Sequence, residues 1–118
     1  MPYKFIDRQQ DLDTWIDRVS AIKVIGLDTE FLWERTYFPK LCLIQIAADD
    51  SIACIDTLAL ADLSGLNEMI NVSTVQKIFH AAKQDIEVLH VAGLEAREQI
   101  FDTQVAAGLL GMAEQIGY

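Results

Sequence analysis

The sequence predicts an α/β fold, a mixed five-stranded sheet flanked by helices, and three observations point to it. Three apolar, β-branched runs, IKVIGLDTEF, LCLIQIAA and SIACIDT, crowd the first half of the chain and read as strands. Strand and helix patterns alternate after them, the order expected of a mixed sheet covered by helices. The middle run is apolar at both alternating sets of positions, as suits a strand buried on both faces.

At the front, YKFI reads as a short extended segment outside the five counted strands. Asp7, with Gln10 three residues later, makes a capping box for a first helix. Leu12, Trp15, Ile16 and Val19 then recur at i, i+3, i+4 and i+7, one apolar stripe to lay against a sheet. Residues 22–31 form the first strand, entering the core as VIGL and ending in charge. The loop LWERTYFPK, rich in aromatic and charged residues, leads to the central LCLIQIAA. A turn at Asp49 and Asp50 then makes an antiparallel hairpin with SIACIDT. A helix through Leu63, Leu66 and Ile70 follows, then a short strand, QKIFHA, then a helix from Ala82 on which Ile86 and Leu89 share a face. Gly93 breaks that helix, QIFD is the fifth strand, and VAAGLLGMAEQ begins a last helix close to Tyr118. No repeat, low-complexity tract or linker interrupts the pattern, so residues 1–118 read as a single domain.

A chain of 118 residues with 52% hydrophobic content can bury a real core. Its formal charge of −9 speaks against broad, unaided attraction to a phosphate backbone, which depends on Lys and Arg displacing counterions. A nucleic-acid role must lean on bound cations or on protein beyond these residues. Cys42 and Cys54 sit in apolar runs without a C-x-x-C or Cys/His cluster, so they read as buried free thiols. No signal-peptide core and no apolar run of membrane-spanning length is present, and a reducing cytoplasm is the expected setting.

Asp28 and Glu30 occupy positions i and i+2 of a strand, on one face, with Cα atoms roughly 6.5–7 Å apart. A bare D-x-E is weak evidence. Here it follows VIGL, a core-bound stretch where unpaired charge is expensive and a divalent cation would offset it. Asp85 falls in the opening turn of the helix after FHA, a position that also suits a dipole-favoured acid. Glu87, about 200° further round, should face solvent.

These residues sit in three linked stretches, IGLDTEF, TYFPKLCLIQ and FHAAKQDIEVL, that resemble ribonuclease D of the DEDD 3′-5′ exonucleases. The resemblance runs over nearly the whole chain in order and spacing. It implies a ribonuclease-H-like sheet and hydrolysis of the 3′-terminal phosphodiester of structured RNA such as transfer RNA precursors. Asp28, Glu30 and Asp85 are then the catalytic metal ligands for two divalent cations, Mg²⁺ or Mn²⁺, about 3.5–4 Å apart. Within that reading Asp28 bridges both ions, Glu30 holds the one nearer the attacking water, and Asp85 helps hold the other. The family's third motif, Y-x-x-x-D, supplies a further Asp and a water-positioning Tyr. Of the tyrosines Tyr3, Tyr37 and Tyr118, only Tyr3 has an Asp four positions later, Asp7, and that pair lies ahead of the first motif rather than after the second, so it does not stand as the third motif. The domain therefore reads as truncated before its last core helix, with three of four ligands, and as inactive by itself.

Other residues keep two readings. Asp102 in FDTQ is either a substitute fourth acid or, more commonly for its position, an N-cap. His80 touches substrate or is a hydrogen-bonded structural residue. Gln45, the single polar residue of LCLIQIA, reaches toward the acidic pair or faces the surface, and Thr29 lies between the two acids; with Phe31 and His80 these two are the substrate-binding candidates. Phe31, Trp33, Tyr37 and Phe38, interleaved with Arg35 and Lys40, form a stacking surface for RNA 3′-terminal bases or cover the sheet edge. The rival function is a non-catalytic nucleic-acid- or protein-binding module on the same scaffold; a two-chain enzyme, with a partner lending Asp and Tyr, is a third. A missing core helix should leave apolar surface exposed, and homo-oligomerisation through that face is expected.

Overall fold

The computed structural model describes residues 3–33 and 37–112. Ten elements follow in the order β1 (Tyr3–Ile6), α1 (Gln9–Arg18), β2 (Val24–Leu32), β3 (Lys40–Ala48), β4 (Ser51–Asp56), α2 (Ser64–Ile70), β5 (Gln76–Phe79), α3 (Ala82–Val91), β6 (Ile100–Asp102) and α4 (Thr103–Leu109). The sheet has six strands, not five, in the order β1-β4-β3-β2-β5-β6. YKFI is the extra one. At four residues it is too short to show a period, and only its parallel pairing with β4, Tyr3 opposite Ile52 through Ile6 opposite Ile55, makes it a strand.

The expected hairpin between β3 and β4 is present, with Asp49 in the left-handed conformation at its turn (φ 57). β2 joins antiparallel to β3 and parallel to β5, so the sheet is mixed and its two central strands are β2 and β3. α1, α2 and α3 bury their apolar stripes while α4 buries none of its residues, and the start of α1 differs from the expected one. Its N-cap is Arg8, without a side-chain cap, so the Asp7–Gln10 box does not form. Gln9, in the first turn, donates to Asp13 Oδ1 and to the carbonyl of Asp62, tying the start of α1 to the segment before α2.

One face of the sheet carries the core. Ile25, Leu27, Ile44, Ile46, Ala53 and Ile55 point into it and meet Leu12 and Trp15 of α1, Leu66 and Ile70 of α2, and Val88 and Leu89 of α3 in one buried cluster. Trp15 is 1% exposed and its indole N–H donates to Ser51 Oγ at 3.3 Å, tying α1 to the β3–β4 turn. Lys77 is also buried on this side; its Nζ donates to the Val75 carbonyl, and burial lowers its pKa against the opposing pull of Glu98. The opposite face is much more open: Glu30, Gln45 and Ala47 are exposed, as are the aromatic rings of Tyr3 and Phe5. Both cysteines are free thiols, Cys54 buried and Cys42 half-buried.

Candidate active site

Strand alternation sorts the acids before any tertiary contact is considered. Asp28 and Glu30 lie on the open face, while Thr29 between them is buried on the core face. α3 packs on that core face, and its first turn brings in Asp85, which is 7% exposed. Thr29 Oγ1 donates to Asp85 Oδ1, so the third acid is anchored through the residue between the first two. Asp28 Oδ1 accepts the backbone N–H of Thr29 at 3.0 Å. Burial raises the Asp85 pKa above the ordinary carboxylate range; the Thr29 bond opposes this, and the charges of Asp28 and then Glu30 add to it. The three carboxylates thus share one electrostatic neighbourhood at the end of β2. Among the described residues no three acidic, His or Cys side chains converge as a ready cluster.

Pairing between β2 and β3 adds two features. Gln45 stands directly opposite Asp28 in the antiparallel register, so its amide belongs to the open-face neighbourhood of the acidic pair. After Glu30 the register slips: Glu30 faces Leu43 but Phe31 faces Leu41, leaving Cys42 as the bulged residue. A bulge bends the strand and re-aims the side chains around it, here beside Glu30. Beyond it Phe31 packs against the core rather than standing free.

A hollow of about 400 Å³ opens on the same face, lined by Asp28, Gln45, Gly26, Ile78, His80 and Thr103 among others. His80 is held there. Thr103 Oγ1 gives its single hydrogen to the Phe79 carbonyl at 3.1 Å, so at 2.8 Å it accepts from Nδ1–H of His80. Trp33, Tyr37 and Phe38 are all at least half exposed beyond the end of β2. Arg35 and Thr36 lie outside the described residues, as do Glu34 and Tyr118.

Residues 3–118 match the family model of the 3′-5′ exonucleases. The chain belongs to that family. Ribonuclease D of Gluconacetobacter diazotrophicus is 40% identical over 114 residues, covering 96% of this chain and 29% of that protein. Ribonuclease D of Zymomonas mobilis is 46% identical over 104 residues, 86% of this chain and 26% of the relative. The crystal structure of Escherichia coli RNase D superposes with a TM-score of 0.90 at 36% identity, covering 100% of this chain and 32% of that one. A Trypanosoma brucei RNase D solved with the RNA U12 shares the fold, with a TM-score of 0.78 at 20% identity over 88% of this chain and 38% of its own. The chain thus spans between 26% and 38% of the length of these ribonuclease D relatives.

Two residues of the chain do more than the sequence showed. Thr29, expected at the substrate, has its hydroxyl turned to α3 and engaged by Asp85. Asp102 is an N-cap and more: its carboxylate accepts from Gln104 and Val105 at the start of α4, and from Ala81 at 3.0 Å and Ala82 at 2.7 Å at the start of α3. Partial burial pushes its pKa up, but the four N–H groups together hold it below the ordinary carboxylate range. Ala81 is left-handed (φ 60, ψ 60), a conformation that costs a non-glycine residue about 1–2 kcal/mol. Thr103 was missed altogether; the signal was two adjacent side chains with oxygen acceptors opening a helix that has few other polar groups.

The Asp85 shift has a testable sign. Its folded-state pKa is raised, so the folded chain holds a proton that the unfolded chain releases above about pH 3.9. That contribution to stability is present at low pH and is lost as pH rises through the raised value. Asp85→Asn keeps an oxygen acceptor for Thr29 and carries no charge. In the presence of a chelator, the Tm advantage of this variant over the wild type should therefore be small near pH 4 and grow toward neutrality. Calorimetric melts across that range check it, and a difference independent of pH overturns it.

Proposed function

We propose that the chain carries the front part of an RNA 3′-end exonuclease site, hydrolysing 3′-terminal phosphodiester bonds of structured RNA such as transfer RNA precursors. The observation that carries the reading is the buried Asp85 carboxylate, held at the end of β2 within the field of Asp28 and Glu30. The donor set is all carboxylate oxygen, which fits a hard cation such as Mg²⁺ or Mn²⁺, and a cation there would relieve the repulsion among the three acids. Asp28, Glu30 and Asp85 would hold it. When bound, a divalent ion supplies Lewis-acid stabilisation and a more acidic water.

The chain's own residues do the rest of the local work in this reading. Thr29 orients Asp85, Gln45 presents its amide beside Asp28, and His80, fixed by Thr103, forms a wall of the hollow on the open face. The exposed aromatic side chains Trp33, Tyr37 and Phe38, which follow β2 in the chain, offer stacking surface for bases. A ribonuclease D of the same fold solved with RNA supports nucleic acid as the substrate class.

The test is a Mn²⁺ titration with a 3′-labelled single-stranded RNA, run on this chain and on a version extended past Tyr118. Metal-dependent release of the label by the extended version, with little from the 118 residues, is the expected result. Metal-independent release, or none from either, sinks the reading. The exposed Tyr3, Phe5 and Ala47 on the open face make self-association of the isolated chain the expected behaviour. Light scattering that reports a strict monomer at high concentration would count against it.

A further inference from the structure

α3 begins without a cap of its own. The residue at its N-cap is Ala81, whose methyl group accepts nothing, and its first backbone N–H groups have no partner within the helix. The missing acceptors come from a residue about twenty positions later. Asp102 Oδ2 accepts from Ala82 at 2.7 Å and Oδ1 from Ala81 at 3.0 Å, while Oδ1 also caps α4 through Gln104 at 2.9 Å. One carboxylate therefore sits between the positive ends of two helices, where each helix dipole favours it. Asp85 lies one turn into α3, so the angle at which α3 leaves β5 decides whether its carboxylate reaches Thr29.

We propose that Asp102 is a positioning residue of the site: by capping α3 from outside, it sets the placement of Asp85 against Thr29 and thereby the grip of the three acids on a divalent cation. The neighbouring Thr103 completes the device, since its hydroxyl bridges the Phe79 carbonyl and His80 at the same junction. Asp102 touches neither the acids nor the hollow, and acts through the backbone at residues 81 and 82. The effect on cation binding rests on the metal-site reading given above; the placement of Asp85 does not.

Asp102→Asn is the informative variant. Its amide keeps one acceptor oxygen, enough for the cap of α4, and turns an N–H₂ toward Ala82, where no acceptor remains. Two readouts on the 118-residue chain separate the possibilities. In metal-free chain, the backbone and methyl resonances of Thr29 should shift, although Thr29 makes no contact with Asp102. With Mn²⁺ as the probe, affinity measured at a temperature where the variant is fully folded should fall about tenfold or more, as for other residues that orient metal ligands. Met69→Ala, a truncation in the buried face of α2, is the matched control: it lowers Tm and should leave both readouts unchanged.

If the Thr29 resonances stay in place in Asp102→Asn, the proposal is overturned, whatever happens to Tm. If they move and wild-type chain binds Mn²⁺ no better than Asp85→Asn does, the positioning of Asp85 stands and the metal-site reading fails. If they move while Mn²⁺ affinity matches wild type, the link from α3 placement to cation binding is overturned.

Discussion

Replacing Asp28 with alanine in a version extended past Tyr118 is expected to slow Mn²⁺-dependent release of 3′-terminal nucleotides from RNA by about 10³-fold. The size follows from what is lost: a charged oxygen ligand for the cation that would stabilise the negative charge developing on the phosphodiester. Glu30→Gln and Asp85→Asn should fall in the same range. Asp85→Asn carries a second signature, because removing a buried charge should leave its Tm in chelator at or above that of the wild type. Glu87→Gln is the internal control, since Glu87 is exposed two positions further along α3 and should leave the rate unchanged. Single-turnover rates with labelled RNA decide the matter. Retention of activity within about threefold in Asp28→Ala would remove the acidic pair from the chemistry.

The largest stability effect is expected at Trp15. It is the bulkiest of the fully buried side chains, and it joins α1 to the sheet both by packing and by the indole bond to Ser51. Trp15→Ala should cost about 3–5 kcal/mol, the usual range for deleting a large aromatic from a core. Small domains have only about 5–15 kcal/mol to lose, so the variant should be close to unfolding at room temperature. Trp15→Phe keeps most of the packing and gives up the Ser51 bond, at about 1 kcal/mol. Urea titrations followed by circular dichroism read both, and a midpoint shift in Trp15→Ala as small as that of Trp15→Phe would contradict the assigned core.

Where the sequence carried a period, it was a good guide. The apolar stripe of α1 and the alternation through VIGLDTEF survive in the structure, because burial selects for those repeats directly, whereas β3 is central as expected but buried on one face only, with Gln45 and Ala47 exposed on the other. Short or tertiary features were not legible. YKFI becomes a strand only by docking on β4, and the Asp7–Gln10 box does not form because α1 starts with Arg8 at its N-cap. The acids at 28, 30 and 85 stood out by type and spacing, and Asp102 is the N-cap its position suggested. The hold of Thr29 on Asp85 and the reach of Asp102 to α3 were not legible, because they depend on which strand face meets α3 and on how β6 ends beside β5. The bulge at Cys42 leaves no trace in composition, since either register keeps the run apolar.

The hydrogen bond from Thr29 to Asp85 spans 56 residues of chain. Contacts of that separation form late, since the entropy of closing the loop comes before any reward from the contact. The hairpin of β3 and β4 and its neighbour β2 are adjacent in sequence and can pair early, carrying Asp28 and Glu30 with them. Asp85 arrives only when β5 has slotted in beside β2 and α3 has docked over the core face. During synthesis the acidic pair therefore emerges well ahead of its third member. A cation held by all three acids would mark a chain that has finished folding, and its affinity would appear with the last docking event rather than with the first strands.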